Sequence, residues 1–150
     1  MIYIDVHPGL KTRLVSDLLE GAARATLRQQ SVPEADLTLV LAGDARLRTL
    51  NREYLEQDVT TDVLSFPSME TDPDTGRRYL GDVVISLPRA ESQARAGKHP
   101  LEQEVQLLVV HGVLHLLGHD HAEAEDKKRM WTAQAEILKS LGVPSTIIHE

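Results

Sequence analysis

Apolar and polar positions alternate at the start of the chain. Ile2, Ile4 and Val6 are separated by Tyr3 and Asp5, which predicts a first strand ended by Pro8 and Gly9. Over residues 12–30 the period lengthens. Leu14, Leu18, Leu19 and Ala22 recur at helical spacing, and Pro33 follows as a breaker. The stretch DLTLVLAG (36–43) returns to alternation, with Leu37, Leu39 and Leu41 on one face. Asp44 is a good N-cap for a short helix carrying Leu47, Leu50 and Tyr54. TDVLSFP (61–67) predicts a short strand stopped by Pro67, and LGDVVISL (80–87) another. The segment between them, 68–78, holds Pro73, Gly76, acids and two arginines, and predicts a mobile loop.

The remainder is helical. Pro88 suits the first turn of a helix reaching residue 96, residues 97–99 form a link, and Pro100 opens a helix over 101–117. From Val105 onward that helix is apolar on most sides, which predicts burial rather than a place on the surface. Gly118 stops it. A last helix over 122–141 turns Met130, Ala133, Ile137 and Leu138 inward, and Gly142 ends it. Four strands and five helices, interspersed at first and then helical to the end, indicate an α+β class. A length of 150 residues suits one domain, 1–150, around one core.

Composition narrows the function. A net charge of −7 argues against a general electrostatic grip on nucleic acid, and 3% aromatic residues against a broad base-stacking platform. Nucleic-acid chemistry therefore has to rest on a small site. The chain has no cysteine, which removes thiolate metal sites and disulfides. No apolar run approaches the ~20 residues of a membrane span, and MIYIDVHPGL does not resemble a secretory signal. A cytoplasmic protein without a membrane partner is the expectation.

The chemistry concentrates in HGVLHLLGHDH (111–121), which holds four of the seven histidines. On a helix, His111 and His115 are offset by about 40° around the axis and about 6 Å along it, so both project from one face. Gly118 permits a left-handed residue that reverses the chain, which lets His121 turn back as a third nitrogen ligand. Three imidazoles leave the fourth tetrahedral position of one Zn²⁺ per chain open, as catalytic zinc sites do. The spacing matches the zinc-protease pattern H-E-x-x-H-x-x-G-x-x-H, so the helix is zincin-like. The residue at the place of that pattern's general-base glutamate is Gly112, which leaves space beside the metal. Asp120 is the candidate proton acceptor or ligand-orienting carboxylate; a turn role is the alternative reading. His119 reads as an outward-pointing turn residue.

HGVLHLLGHDH resembles the signature of the YbeY family, metal-dependent endoribonucleases of ribosomal RNA maturation. TDVLSFP and LGDVVIS agree with it in order, as do Asn51 and Tyr54. The resemblance implies a compact fold around a mixed sheet of about four strands and zinc on His111, His115 and His121. It also implies cleavage of single-stranded RNA in processing the 3′ end of small-subunit ribosomal RNA and in ribosome quality control, with RNA and the small subunit as partners. The chain departs from the pattern after Tyr54, where the family usually has an arginine and this sequence has Leu55. Arg52 is the candidate replacement for its phosphate contact, and Asp62 and Ser65 are candidate substrate contacts if their strand edges the cleft. Asp82 reads as structural, Arg77 and Arg78 as a solvated loop pair with contact to RNA phosphates as the alternative, Lys127, Lys128 and Arg129 as a solvated helix face, and Trp131 as a core or partly buried helix residue. Two other functions compete: a metallopeptidase, which the spacing suggests and Gly112 disfavours, and a zinc-stabilised ribosome-associated assembly factor that performs no cleavage, which the absent arginine and the acidic balance favour.

Overall fold

The computed structural model describes residues 1–7, 16–55, 61–68, 70–119 and 123–147, with the backbone alone for Leu55 and Ser145. Its strands are β1 (Ile2–Val6), β2 (Asp36–Ala42), β3 (Val63–Pro67) and β4 (Tyr79–Ser86). They form one mixed sheet in the order β1-β2-β4-β3, in which β1, β2 and β4 run parallel and β3 runs antiparallel to β4. The helices are α1 (Ser16–Gln29), α2 (Asp44–Leu55), α3 (Leu87–Gly97), α4 (Leu101–Leu116) and α5 (Ala124–Ser140), followed by a short 3-10 turn at Ser145–Ile147.

The alternation along the strands sorts side chains to two faces. Leu37, Leu39 and Leu41 of β2 and Leu80, Val83 and Ile85 of β4 enter the main core beneath α1, α4 and α5. Val84 and Leu64 face the other way and are covered by Leu47 and Leu50 of α2. Helix α4 lies on β3 and β4 with α1, α3 and α5 around it, and this explains why its sequence is apolar on most sides. Among the described residues, no helix is long and apolar enough to cross a membrane.

The ends of the elements follow local chemistry. The expected strand over 80–87 stops at Ser86, because the Ser86 hydroxyl accepts from Arg89 N at 3.2 Å and Pro88 lies in the first helical turn, so Leu87 begins α3. The segment expected as a mobile loop is instead tied by hydrogen bonds. Thr71 bridges Arg78, Asp72 N donates to Arg77 O at 2.9 Å, and the Asp72 carboxylate caps the turn at Asp74 N. Arg77 is not merely solvated, since its guanidinium donates to Asp36 at 2.8 Å across to β2. Tyr79 likewise points to β2, with its hydroxyl against Thr38 Oγ1 at 2.6 Å and donating to Asp82.

Between β2 and β4 the register slips by one residue, so that Asp36 faces Tyr79 but Thr38 faces Asp82. Gly81 absorbs this bulge at φ +130°, and a Cβ there would lie 2.1 Å from the Phe66 carbonyl oxygen. A polar cluster closes the far end of α4. Fully buried Glu104 meets His99 Nε2 at 2.6 Å and accepts from Gln93 Nε2 at 2.9 Å. The same Gln93 amide reaches Asp62 at 3.3 Å, which links α3, α4 and the start of β3.

Candidate metal centre

Helix α4 ends in a Schellman turn. His119 N donates to Leu114 O and Gly118 N to His115 O, each at 3.0 Å, with Gly118 at φ +95°. The reversal predicted from Gly118 is therefore present. It returns the His119 carbonyl to His115, whose Nδ1 donates to it at 2.9 Å. A carbonyl only accepts, so the His115 proton sits on Nδ1 and the Nε2 lone pair is presented outward. One turn earlier, His111 Nδ1 is held by Gln134 Oε1 of α5 at 2.7 Å. The two Nε2 atoms then face each other at 3.0 Å, with the rings inclined at 73°.

Two nitrogen lone pairs that meet head-on repel one another, and a shared cation turns that repulsion into bonding. Zinc–nitrogen bonds of about 2.0–2.1 Å in tetrahedral geometry put ligand nitrogens about 3.3–3.4 Å apart, close to the separation seen here. The held Nδ1 atoms are the outer hydrogen bonds that metal-binding histidines use. The residues present fit a zinc ion. Among the described residues no three His, Asp or Glu side chains converge. The expected third ligand His121 and the candidate proton acceptor Asp120 lie outside the described residues.

Gly112 has a different role from the space expected beside a metal. A Cβ at that position would lie 2.4 Å from Val83 Cγ1 and 3.3 Å from Ser65 Oγ. The missing side chain lets α4 press onto the sheet, and a glutamate there would strike β4. Ser65, taken as a substrate contact, donates its hydroxyl to the Gly112 carbonyl at 2.9 Å. Asp62 sits with Gln93, in the cluster at the other end of α4. Arg52 is exposed on α2, across the sheet from α4. These three residues are not brought together.

Three residues carry roles that the sequence did not signal. Gln134 anchors His111 from a helix 23 positions away. Gln30 of the α1 end accepts from His119 Nε2 at 2.7 Å, so His119 is half-buried rather than outward-pointing. Burial, and then the charge of Arg129, lower the His119 pKa and favour its neutral ring. Arg46 lines a cleft of about 430 Å³ on the α2 side with Tyr54, Phe66 and Asp82. The apolar stripe of α2 predicts its buried face, but not that Arg46 overhangs the sheet beside it.

The family model described as Endoribonuclease YbeY matches residues 6–142. The chain belongs to the YbeY family. It is 44% identical to the endoribonuclease YbeY of Solibacter usitatus over 123 residues, covering 82% of this chain and 78% of that one. It is 39% identical to that of Oceanobacillus iheyensis, over 87% of each chain. With that of Bacillus mycoides it shares 36% identity over 94% of this chain and 95% of the relative. The solution structure of a Thermotoga maritima protein superposes with a TM-score of 0.59 at 26% identity, covering 95% of this chain and 92% of that one. YbeY proteins are endoribonucleases, and this chain, which matches the family model and these relatives over most of its length, is an endoribonuclease of that family.

Proposed function

We propose that this chain is a single-strand-specific endoribonuclease that acts in the cytoplasm on the 3′ end of small-subunit ribosomal RNA and in ribosome quality control. In this reading it holds one Zn²⁺ through His111, His115 and His121. The observation that supports it is the pair of Nε2 atoms aimed at each other while both Nδ1 atoms are held from behind. When bound, the ion supplies Lewis acidity, lowering the pKa of water towards neutrality and stabilising charge on a phosphodiester. The protein's own contribution is orientation. Gln134 and the His119 carbonyl fix tautomer and ring plane, and Ser65 and Gly112 set α4 at its close distance from the sheet. Asp120 is the carboxylate that would accept a proton in this reading.

Gly112 counts against the metallopeptidase alternative, because the general-base position has no carboxylate and no room for one. The test is incubation of zinc-loaded protein with labelled single-stranded RNA, duplex RNA and an unstructured protein. The expected result is cleavage of single-stranded RNA alone, abolished by a chelator and reduced more than 100-fold in His115→Ala. Metal-dependent cleavage of the protein and not of RNA would overturn the assignment. Ribosomal RNA maturation that survives in cells carrying a folded His115→Ala chain would show that the protein works without cutting.

A further inference from the structure

A chain of net charge −7 repels a polyanion at long range, so RNA binding depends on where its cations cluster. The longest cation run is Lys127, Lys128 and Arg129, in the first turns of α5. The structure divides this run. Lys127 Nζ lies 4.6 Å from the centroid of the Trp131 ring, a cation–π contact along the helix. Lys128 and Arg129 are exposed and line a cleft of about 600 Å³ between α5 and the end of α1.

Three further features bear on what this cleft holds. Its α1 wall is uncharged, carrying Gln29 and Gln30. Two acids also line it, Glu125 and Glu136, and Glu136 accepts from Gln29 Nε2 at 2.8 Å, which engages that carboxylate with the α1 wall. Its end is His119, whose carbonyl holds His115. A smaller recess of about 160 Å³ under the Gly118 turn shares both His119 and Arg129 with the cleft. The two hollows therefore meet at His119, the residue whose carbonyl is hydrogen-bonded to His115, and at Arg129.

We propose that this cleft is a backbone-phosphate subsite for the single RNA strand leaving the histidine pair, with Lys128 and Arg129 each taking one phosphate. The inference rests on the endoribonuclease reading and extends it to residues away from the reacting bond. Arg129 shares one guanidinium nitrogen with Asp126 at 3.5 Å, and the remaining donors of its planar fork suit phosphate oxygens. His119, whose Nε2–H donates to Gln30 Oε1 at 2.7 Å, fixes the end wall of the cleft.

The experiment compares the full chain with Lys128→Ala/Arg129→Ala, with Lys127→Ala as control. A fluorescent single-stranded 12-nucleotide RNA is bound in a stopped-flow anisotropy measurement, read before cleavage. The expected result is affinity weakened about tenfold by the double substitution, with an unchanged melting temperature and an unchanged kcat at saturating RNA. The slope of log affinity against log salt should fall in magnitude by about 1.4, the value for two single-strand phosphate contacts. Lys127→Ala should do much less. An unchanged affinity and slope in the double variant would overturn the subsite, and intact cleavage in that case would leave the nuclease assignment standing. Binding that depends on Lys128 and Arg129 in a protein that cuts no RNA would uphold the subsite and overturn the nuclease assignment.

Discussion

Each imidazole of the pair is held by the one nitrogen that a metal does not need. For His115 the holder is main chain, and for His111 it is the Gln134 side chain, which is 1% exposed. Replacing Gln134 with leucine keeps the volume and removes the acceptor. Zinc affinity, measured by competition with a chelator, should fall about 10- to 100-fold, as it does when the outer partner of a ligand histidine is lost. A second residue-scale outcome concerns Tyr79. Burial, and then its hydrogen bond to Asp82, raise its pKa from 10.0 to about 12. A group whose folded pKa is raised contributes stability that is present below pH 10 and is lost as pH rises through 12. Phenolate absorbance should therefore show one of the three tyrosines titrating late, and Tyr79→Phe should remove that step. At this scale the sequence placed His111 and His115 on one helix face, because their four-residue spacing is that of a helical turn. It did not show what holds them, because Gln134 lies on another helix and the His119 carbonyl is main chain, and neither has a pattern to mark it.

The elements were legible wherever one period ran unbroken. The alternation of Leu37, Leu39 and Leu41 and the apolar run from Val105 both appear as predicted, the first on the core face of β2 and the second wrapped by three helices and the sheet. Contacts between elements were not legible. Glycine at position 112 suggested an opening, yet the space a Cβ would need there is already filled by Val83 of β4. Gly112→Ala should therefore destabilise by about 1–3 kcal/mol in denaturant unfolding, because overpacking against Val83 outweighs the gain in helix propensity. The Glu104 cluster is a second such contact. Glu104→Ala leaves the Gln93 amide and the His99 ring nitrogen without that acceptor, at about 1–3 kcal/mol for each. The same unfolding measurement checks it, and RNA cleavage by the protein that remains folded should be little changed.

For the whole molecule, element order predicts the α+β class but not that β4 lies between β2 and β3. That arrangement comes from long-range pairing and from a one-residue bulge at Gly81, neither of which leaves a periodic trace. The histidine pair lies on α4, and Gln134 of α5 holds His111, so an ion bound by the pair would stiffen the packing of two consecutive helices. Zinc at 100 times its dissociation constant should add about 2.7 kcal/mol to stability, read as a higher melting temperature that a chelator reverses. A melting temperature indifferent to both would separate the histidines from any role in holding the fold.

The turn after α4 divides labour within single residues. At position 119 the carbonyl holds His115 while the ring faces the cleft. Any amino acid supplies the same carbonyl, so this position can change its side chain, and with it the grip on a bound strand, without moving His115. Gly118 beside it has no such latitude, because its backbone angle places that carbonyl. Substitution at 119 is thus expected to reshape the cleft while sparing His115, and substitution at 118 to displace the carbonyl that holds it.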